Sequence, residues 1–157
     1  MPTLTATSTT YHARLRVATR LPTEFIDITD RLLACVTDAG IAAGVLNVQT
    51  LHTTTAIVVN EHEPLLLRDF RTFLERAAPD DGRYQHDDPI TRTVNLTAEE
   101  RPNGHAHCRA LLLPAFACLN VADGRLQLGR WQRVFLVELD GPREREMSVV
   151  AYGEGRP

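Results

Sequence analysis

Apolar and polar positions alternate from Tyr11 to Thr19. Tyr11, Ala13, Leu15 and Val17 share one face, which predicts a strand. Phe25 to Ile28 either continues the sheet or leads into a helix. Thr29 as N-cap and Gly40 just past the end bracket the stripe Leu32, Leu33, Val36 and Ala39, so Asp30 to Ala39 reads as a helix. The chain is organised around Val45 to Glu61. Its first half alternates, with Leu46, Val48, Thr50 and His52 on one face. Ala56 to Val59 is a β-branched run suited to a buried strand. Between them the hydroxyls of Thr53, Thr54 and Thr55 can bond nearby backbone and interrupt the ladder. His52 then sits at one strand end, and Asn60 and Glu61 sit where the next strand stops.

A second helix starts near Pro64, a favoured first-turn residue, with Leu65, Leu66, Phe70, Phe73, Leu74 and Ala77 at helical spacing. Asp69 falls on the apolar side, where a carboxylate needs a partner. It reads as a structural acceptor or as a group that orients a site histidine. Pro79 to Gly104 is a long polar loop carrying Tyr84, His86, Asp87 and Asp88, and Thr97 to Glu100 has capping-box spacing. His105 to Leu113 reads two ways. As a helix it turns Cys108, Leu111 and Leu112 inward and sets His105 and His107 about 200° apart. As a strand it puts both histidines on one face. A short helix ended by Pro114 is the preferred reading, with His107 and not His105 in a site.

The last third reads as strands: Ala115 to Val121, Leu126 to Gly129, Trp131 to Leu139 and Arg145 to Tyr152. Turns fall at Asp123-Gly124 and Asp140-Gly141-Pro142, and Gly153 to Pro157 reads as a loose end. The order predicts one α+β domain over residues 1–157. It has a mostly antiparallel sheet curled towards a barrel and two to three helices.

Composition narrows the functional classes. The chain has 157 residues, 43% of them hydrophobic, enough for one real core. With 17 basic and 20 acidic residues and a net charge of −3, no basic patch points to nucleic acid. No apolar run approaches the roughly 18 residues of a membrane helix, and the start lacks the pattern of a signal peptide. Cys35, Cys108 and Cys118 are an odd set without metal-site spacing. Together these features lead to the expectation of a reduced, cytoplasmic protein. No GxSxG, P-loop or Rossmann glycine pattern is present.

The candidate chemistry rests on His52, His86 and His107. Three neutral imidazoles can hold a catalytic zinc with one open position, whose bound water falls to a pKa near 7. Spacing alone does not show that they converge, and ordinary surface or core histidines are the default. Arg130, Arg133, Arg143 and Arg145 cluster near Asp140 and Glu144, as a solvated hairpin or as an anion clamp. Trp131 reads as core or as a pocket wall.

The ordered pieces His52-Thr-Thr54, Asn60-Glu61, Asp69, Tyr84-Gln-His86, Asn103-Gly-His-Ala-His107, Gly124 to Gln132 and Asp140-Gly-Pro-Arg143 with Arg145 resemble the YjbQ family, also called the secondary thiamine-phosphate synthase family. The likeness spans about Thr10 to Glu154. It implies a barrel-like homotrimer whose polar pocket holds a divalent metal, zinc first and magnesium for a transferase step, on His52, His86 and His107. It implies catalytic roles for His52, Glu61 and Asp69. Substrate contacts are implied for Thr53, Thr54, Asn60, Arg130, Trp131, Gln132 and Arg143. The attached activity is weak thiamine-phosphate synthase activity on small phosphorylated molecules. The alternatives are a non-catalytic small-ligand or metal-binding trimer and a metal-dependent hydrolase. Arg130 stands where the family usually has threonine, and Asp88 to Pro102 is longer than in the shortest members.

Overall fold

Alternation builds the strands, and the structure assigns each face a partner. The structure, a computed structural model, describes residues 8–98 and 100–155. Residues 1–7, residue 99 of the expected capping box and residues 156–157 lie outside the described residues. The order is β1 (Ser8–Ala18), β2 (Glu24–Asp27), α1 (Thr29–Ala39), β3 (Ile41–Thr50), β4 (Thr55–Glu61), α2 (Pro64–Ala77), α3 (Gly104–Leu111), β5 (Phe116–Ala122), β6 (Arg125–Leu126), β7 (Gln132–Glu138) and β8 (Glu144–Gly155). Every strand pair is antiparallel, in a five-stranded sheet β1-β8-β3-β5-β6 and a three-stranded sheet β2-β7-β4. The single α+β domain with a curled antiparallel sheet is as expected.

The small sheet is buried on both faces, so β7 is apolar almost throughout. Val134 and Leu136 join the core beneath α1 and the large sheet, with Ile28, Leu32, Val36, Leu46, Val48 and Met147. Phe135, Val137 and Leu139 face α2 and α3, with Leu67, Leu74 and Ala106. Leu136 is wholly buried, and truncating it to Ala costs about 2–5 kcal/mol in a core of this kind. Among the described residues no helix or strand covers the outer face of the large sheet, where Val45, Phe116 and Tyr152 are exposed.

Several sequence readings change in detail. Thr29 is not the N-cap of α1; Ile28 is, and Thr29 Oγ1 accepts a hydrogen bond from Val134 N at 2.8 Å. Asp27 Oδ1 takes the Thr29 N–H instead, at 2.9 Å, placing a carboxylate at the positive end of the helix dipole. Gly40 ends α1 at φ 63°, as its freedom in the left-handed region permits. Glu63 caps α2, accepting from Leu65 N and Leu66 N at 2.9 and 2.8 Å. That helix buries Leu67 and Leu74, while Leu65 and Phe73 are exposed. In α3 the buried face is Ala106 and Arg109, not Cys108, Leu111 and Leu112. Arg109 is drawn in because Ala78 O and Thr23 Oγ1 accept from it and Glu75 pairs with it. Gly153 is not loose: β8 runs on to Gly155, with Gly153 paired to Thr9 on one side and Gly44 on the other.

Candidate functional site

The β3–β4 and β7–β8 connections leave the same end of the two sheets, and a cavity of about 690 Å³ opens between them. The long loop and the start of α3 form its far side through His86, Arg92, Asn95, Thr97, Glu100, Asn103 and His107. Leu51, His52, Thr53, Thr54, Asp140, Arg143 and Arg145 form the sheet side.

The sheet side is built on a buried ion pair. Glu138 is fully buried and the Arg145 side chain is 4% exposed. Arg145 donates from Nε to Glu138 Oε2 and from Nη2 to Oε1, each at 2.6 Å. The same carboxylate accepts from Leu139 N, Asp140 N and Thr19 Oγ1. Burial works to raise the Glu138 pKa, but Arg145 and these donors outweigh it and hold it below the usual carboxylate range. Arg145 Nη2 also donates to Thr54 Oγ1 at 3.1 Å. Among the described residues Nη1 of Arg145 has no partner.

His52 is fixed by both connections. Its backbone N–H donates to Thr50 Oγ1 at 3.3 Å, and the Thr50 and Thr55 hydroxyls bond each other. The threonine run does interrupt the ladder. The His52 ring accepts at Nε2 from Glu146 N at 2.8 Å. Burial, and after it Arg145, hold its pKa below the ordinary histidine value.

The loop side is tied down through Asp87 and Asp140. Asp87 Oδ1 accepts from Asn103 N and Gly104 N, each at 2.9 Å. A Cβ at Gly104 would meet Tyr84 Cβ at 2.4 Å, so only glycine lets α3 start against the loop. Asn103 Nδ2 donates to Asp140 Oδ2 at 3.0 Å, and Arg143 pairs with the same oxygen at 2.7 Å. Asn103 Oδ1 is then a buried acceptor with no donor among the described residues. Arg92 gathers the loop around itself, donating to the carbonyls of His86, Val94 and Asn95 and pairing with Glu100 at 3.0 Å. Burial alone would raise the Glu100 pKa, but Arg92 outweighs it and holds it low. The His86 and His107 rings meet edge to face at 4.6 Å. Burial and then His86 keep the His107 pKa low. Among the described residues His86 Nε2 is buried without a hydrogen-bond partner, 3.9 Å from Glu100 Oε1.

The expected residues therefore divide. His52, Thr53, Thr54, His86, His107 and Arg143 line one cavity, and His105 lies outside it, beside Tyr84. Asn60 and Asp69 instead line an apolar groove with Phe25, Val58, Phe70 and Phe73. Glu61 and Gln132 pair at the opposite end of the small sheet. Arg130 is exposed and lies over the exposed Trp131 ring at 4.7 Å. Within one chain, then, Glu61 and Asp69 do not reach the histidines, and Asn60, Arg130, Trp131 and Gln132 do not line their cavity. Arg145 enters the sequence reading only as one arm of an anion clamp, and Asp140 and Asn103 have no site role there although they lie within the motifs. Arg92 and Glu100 carry no sequence signal, because the loop's own fold brings them in.

The three histidines do not fit one tetrahedral ion. Such an ion, with Zn–N bonds of roughly 2.0–2.1 Å, gathers its ligand atoms to about 3.4 Å from one another. Among the described residues the only group of three metal-ligating side chains whose atoms all lie within 4.8 Å is Glu75, Asp80 and Asp81, all exposed. His52 has a second obstacle, because its Nε2 lone pair is already taken by the Glu146 amide. Among the described residues no helix is long and apolar enough to cross a membrane.

Comparison with known proteins places this architecture. A UPF0047 protein of Archaeoglobus fulgidus is 40% identical over 137 residues, covering 87% of this chain and 96% of that protein. One from Methanothermobacter thermautotrophicus is 37% identical over 144 residues, covering 92% and 93%. The crystal structure of a YbjQ-like protein of unknown function from Sulfolobus solfataricus superposes with a TM-score of 0.82 at 36% identity, covering 94% of this chain and all of that one. A hypothetical protein from Aeropyrum pernix gives a TM-score of 0.81 at 31% identity, covering 92% and 99%. The model of the UPF0047 protein YjbQ-like family matches residues 13–154, and the chain belongs to that family.

Proposed function

We propose that the cavity binds a small phosphorylated molecule and carries out a group transfer on it. One observation carries this reading: Arg143, the nine-tenths buried Arg145 and the two low-pKa imidazoles His52 and His107 open on the same cavity. Guanidinium groups bind phosphoryl oxygens through charge-assisted hydrogen bonds, and shelter strengthens them. The reaction we assign is the thiamine-phosphate synthase-type transfer implied by the sequence resemblance, in which a pyrimidine carried on pyrophosphate joins a thiazole phosphate. Departing pyrophosphate needs cationic stabilisation, which Arg143 and Arg145 supply. No step is assigned to a metal on the three histidines. Three free cysteines suit a reducing compartment such as the cytoplasm.

We further propose a homotrimer. The outer face of the large sheet exposes Val45, Phe116, Val150 and Tyr152 on neighbouring strands, and Trp131 is 61% exposed. A neighbouring subunit that covers this face and brings Arg130, Trp131 and Gln132 to the open side of the cavity gives those residues the substrate role that one chain denies them.

Calorimetric titration with inorganic phosphate and thiamine phosphate, followed by turnover assays on the two transferase substrates, tests the function. Absence of binding to both ligands removes it, and binding without turnover leaves a binding protein. Light scattering tests the assembly: a mass three times the 17.5 kDa of the chain is expected, and a monomer removes the trimer.

A further inference from the structure

The resemblance makes His52 a metal ligand, and its hydrogen bonding argues otherwise. A neutral imidazole has one lone pair in the ring plane and one N–H. At His52 the lone pair is on Nε2, because the group facing it, the Glu146 backbone N–H, can only donate. Turning the ring over would place a C–H against that donor, so the orientation is fixed by chemistry. Glu146 is itself held, since β8 pairs with β1 through it and its carbonyl accepts from Leu51 N at 3.2 Å. Nδ1 therefore carries the proton, and the ring is left with a donor and no free lone pair. Arg145 makes a matching offer. Its Nε and Nη2 are committed to Glu138 and Thr54, while Nη1 has no partner among the described residues. Both residues line the sheet side of the cavity.

We propose that His52 Nδ1–H and Arg145 Nη1 form an oxyanion subsite, and that His52 acts there as a neutral hydrogen-bond donor and not as a metal ligand. The proposal rests on the reading of the cavity as an anion site. It adds which atoms grip the oxyanion and removes His52 from any metal. Such a donor stabilises negative charge on a ligand oxygen without giving up its own proton. The subsite accepts phosphate or carboxylate oxygens.

Two measurements on the full chain test it. Long-range proton–nitrogen NMR of the histidine rings at pH 7 is expected to show His52 protonated at Nδ1, with both its nitrogens unmoved when zinc is added. Protonation at Nε2, or movement of either nitrogen onto zinc, overturns the proposal. The second measurement is calorimetric titration of two variants with inorganic phosphate and with acetate. His52→Gln keeps an acceptor near the Nε2 position and removes the cavity donor, so the affinity for phosphate should fall about tenfold. His52→Asn keeps a donor near the Nδ1 position and should lose less than about threefold. Thermal melts confirm that both variants fold. Equal losses in the two variants, or none in His52→Gln, overturn the subsite. Tighter binding of phosphate than of acetate assigns the subsite to phosphoryl groups, and the reverse assigns it to carboxylates. If the native chain binds neither anion, the anion reading and the subsite fall together, while the NMR result still decides whether His52 can be a metal ligand.

Discussion

The two ends of the small sheet carry similar side chains in different surroundings. At one end Asp27, His62, Arg133 and Asp30 form a network. Asp27 accepts from Arg133 at 2.7 Å and lies 3.0 Å from His62 Nδ1, and Arg133 reaches Asp30 at 3.0 Å. At the other end Glu138, Arg145, His52 and Asp140 do much the same. The first network is part-exposed, largely satisfied and borders none of the cavities described. The second has a buried ion pair at its centre, and among the described residues Arg145 Nη1, Asn103 Oδ1 and His86 Nε2 make no hydrogen bond beside a cavity. A constellation of histidine, arginine and carboxylate is thus not itself a site. Burial with unmet hydrogen bonds around an open volume is what distinguishes the end proposed to bind a ligand.

The largest effect expected from this contrast is on Glu138. Glu138→Ala leaves the buried Arg145 charge without its carboxylate and should cost about 3–5 kcal/mol, read from urea unfolding. Asp27→Asn at the other end should cost less, about 2 kcal/mol at pH 7. Burial opposes the shift there, but Arg133 and the Thr29 hydrogen bonds dominate and hold Asp27 at about 2 against an ordinary 3.8. A depressed carboxylate stabilises the fold above its unfolded pKa. The difference between native and Asp27→Asn chains should therefore be full above about pH 4 and vanish as pH falls towards 2. Equal costs for the two substitutions at pH 7 would break the comparison.

Ligand binding should separate the ends more cleanly than stability does. Arg143→Ala should weaken phosphate binding about tenfold, since its guanidinium is only partly sheltered. Arg133→Ala should leave phosphate binding unchanged, and calorimetry on both variants reads the difference. The smallest effect belongs to Arg130→Thr. Stability should stay within about 0.5 kcal/mol, because the side chain is exposed. A few-fold loss of phosphate affinity, fading with added salt, is expected if the neighbouring subunit brings Arg130 to the cavity. No loss at any salt concentration would leave Arg130 a surface residue.

The sequence by itself determined the elements and the family. Period-two alternation in β1, β3 and β8 and the apolar stripe of α1 gave those elements their type because each buries one face. The same local pattern placed His52 at a strand end and chose the helical reading that excludes His105. What it could not determine was which polar residues share a volume. Asn60, Glu61 and Asp69 read as neighbours of His52 because they are close in sequence, yet β4 carries Asn60 and Glu61 the length of the sheet away from it. Arg92 and Glu100 looked like loop charges until the loop folded around them. The tertiary structure also decided the protonation of His52. An imidazole takes its tautomer from its partner, and that partner is a backbone amide 94 residues away along the chain.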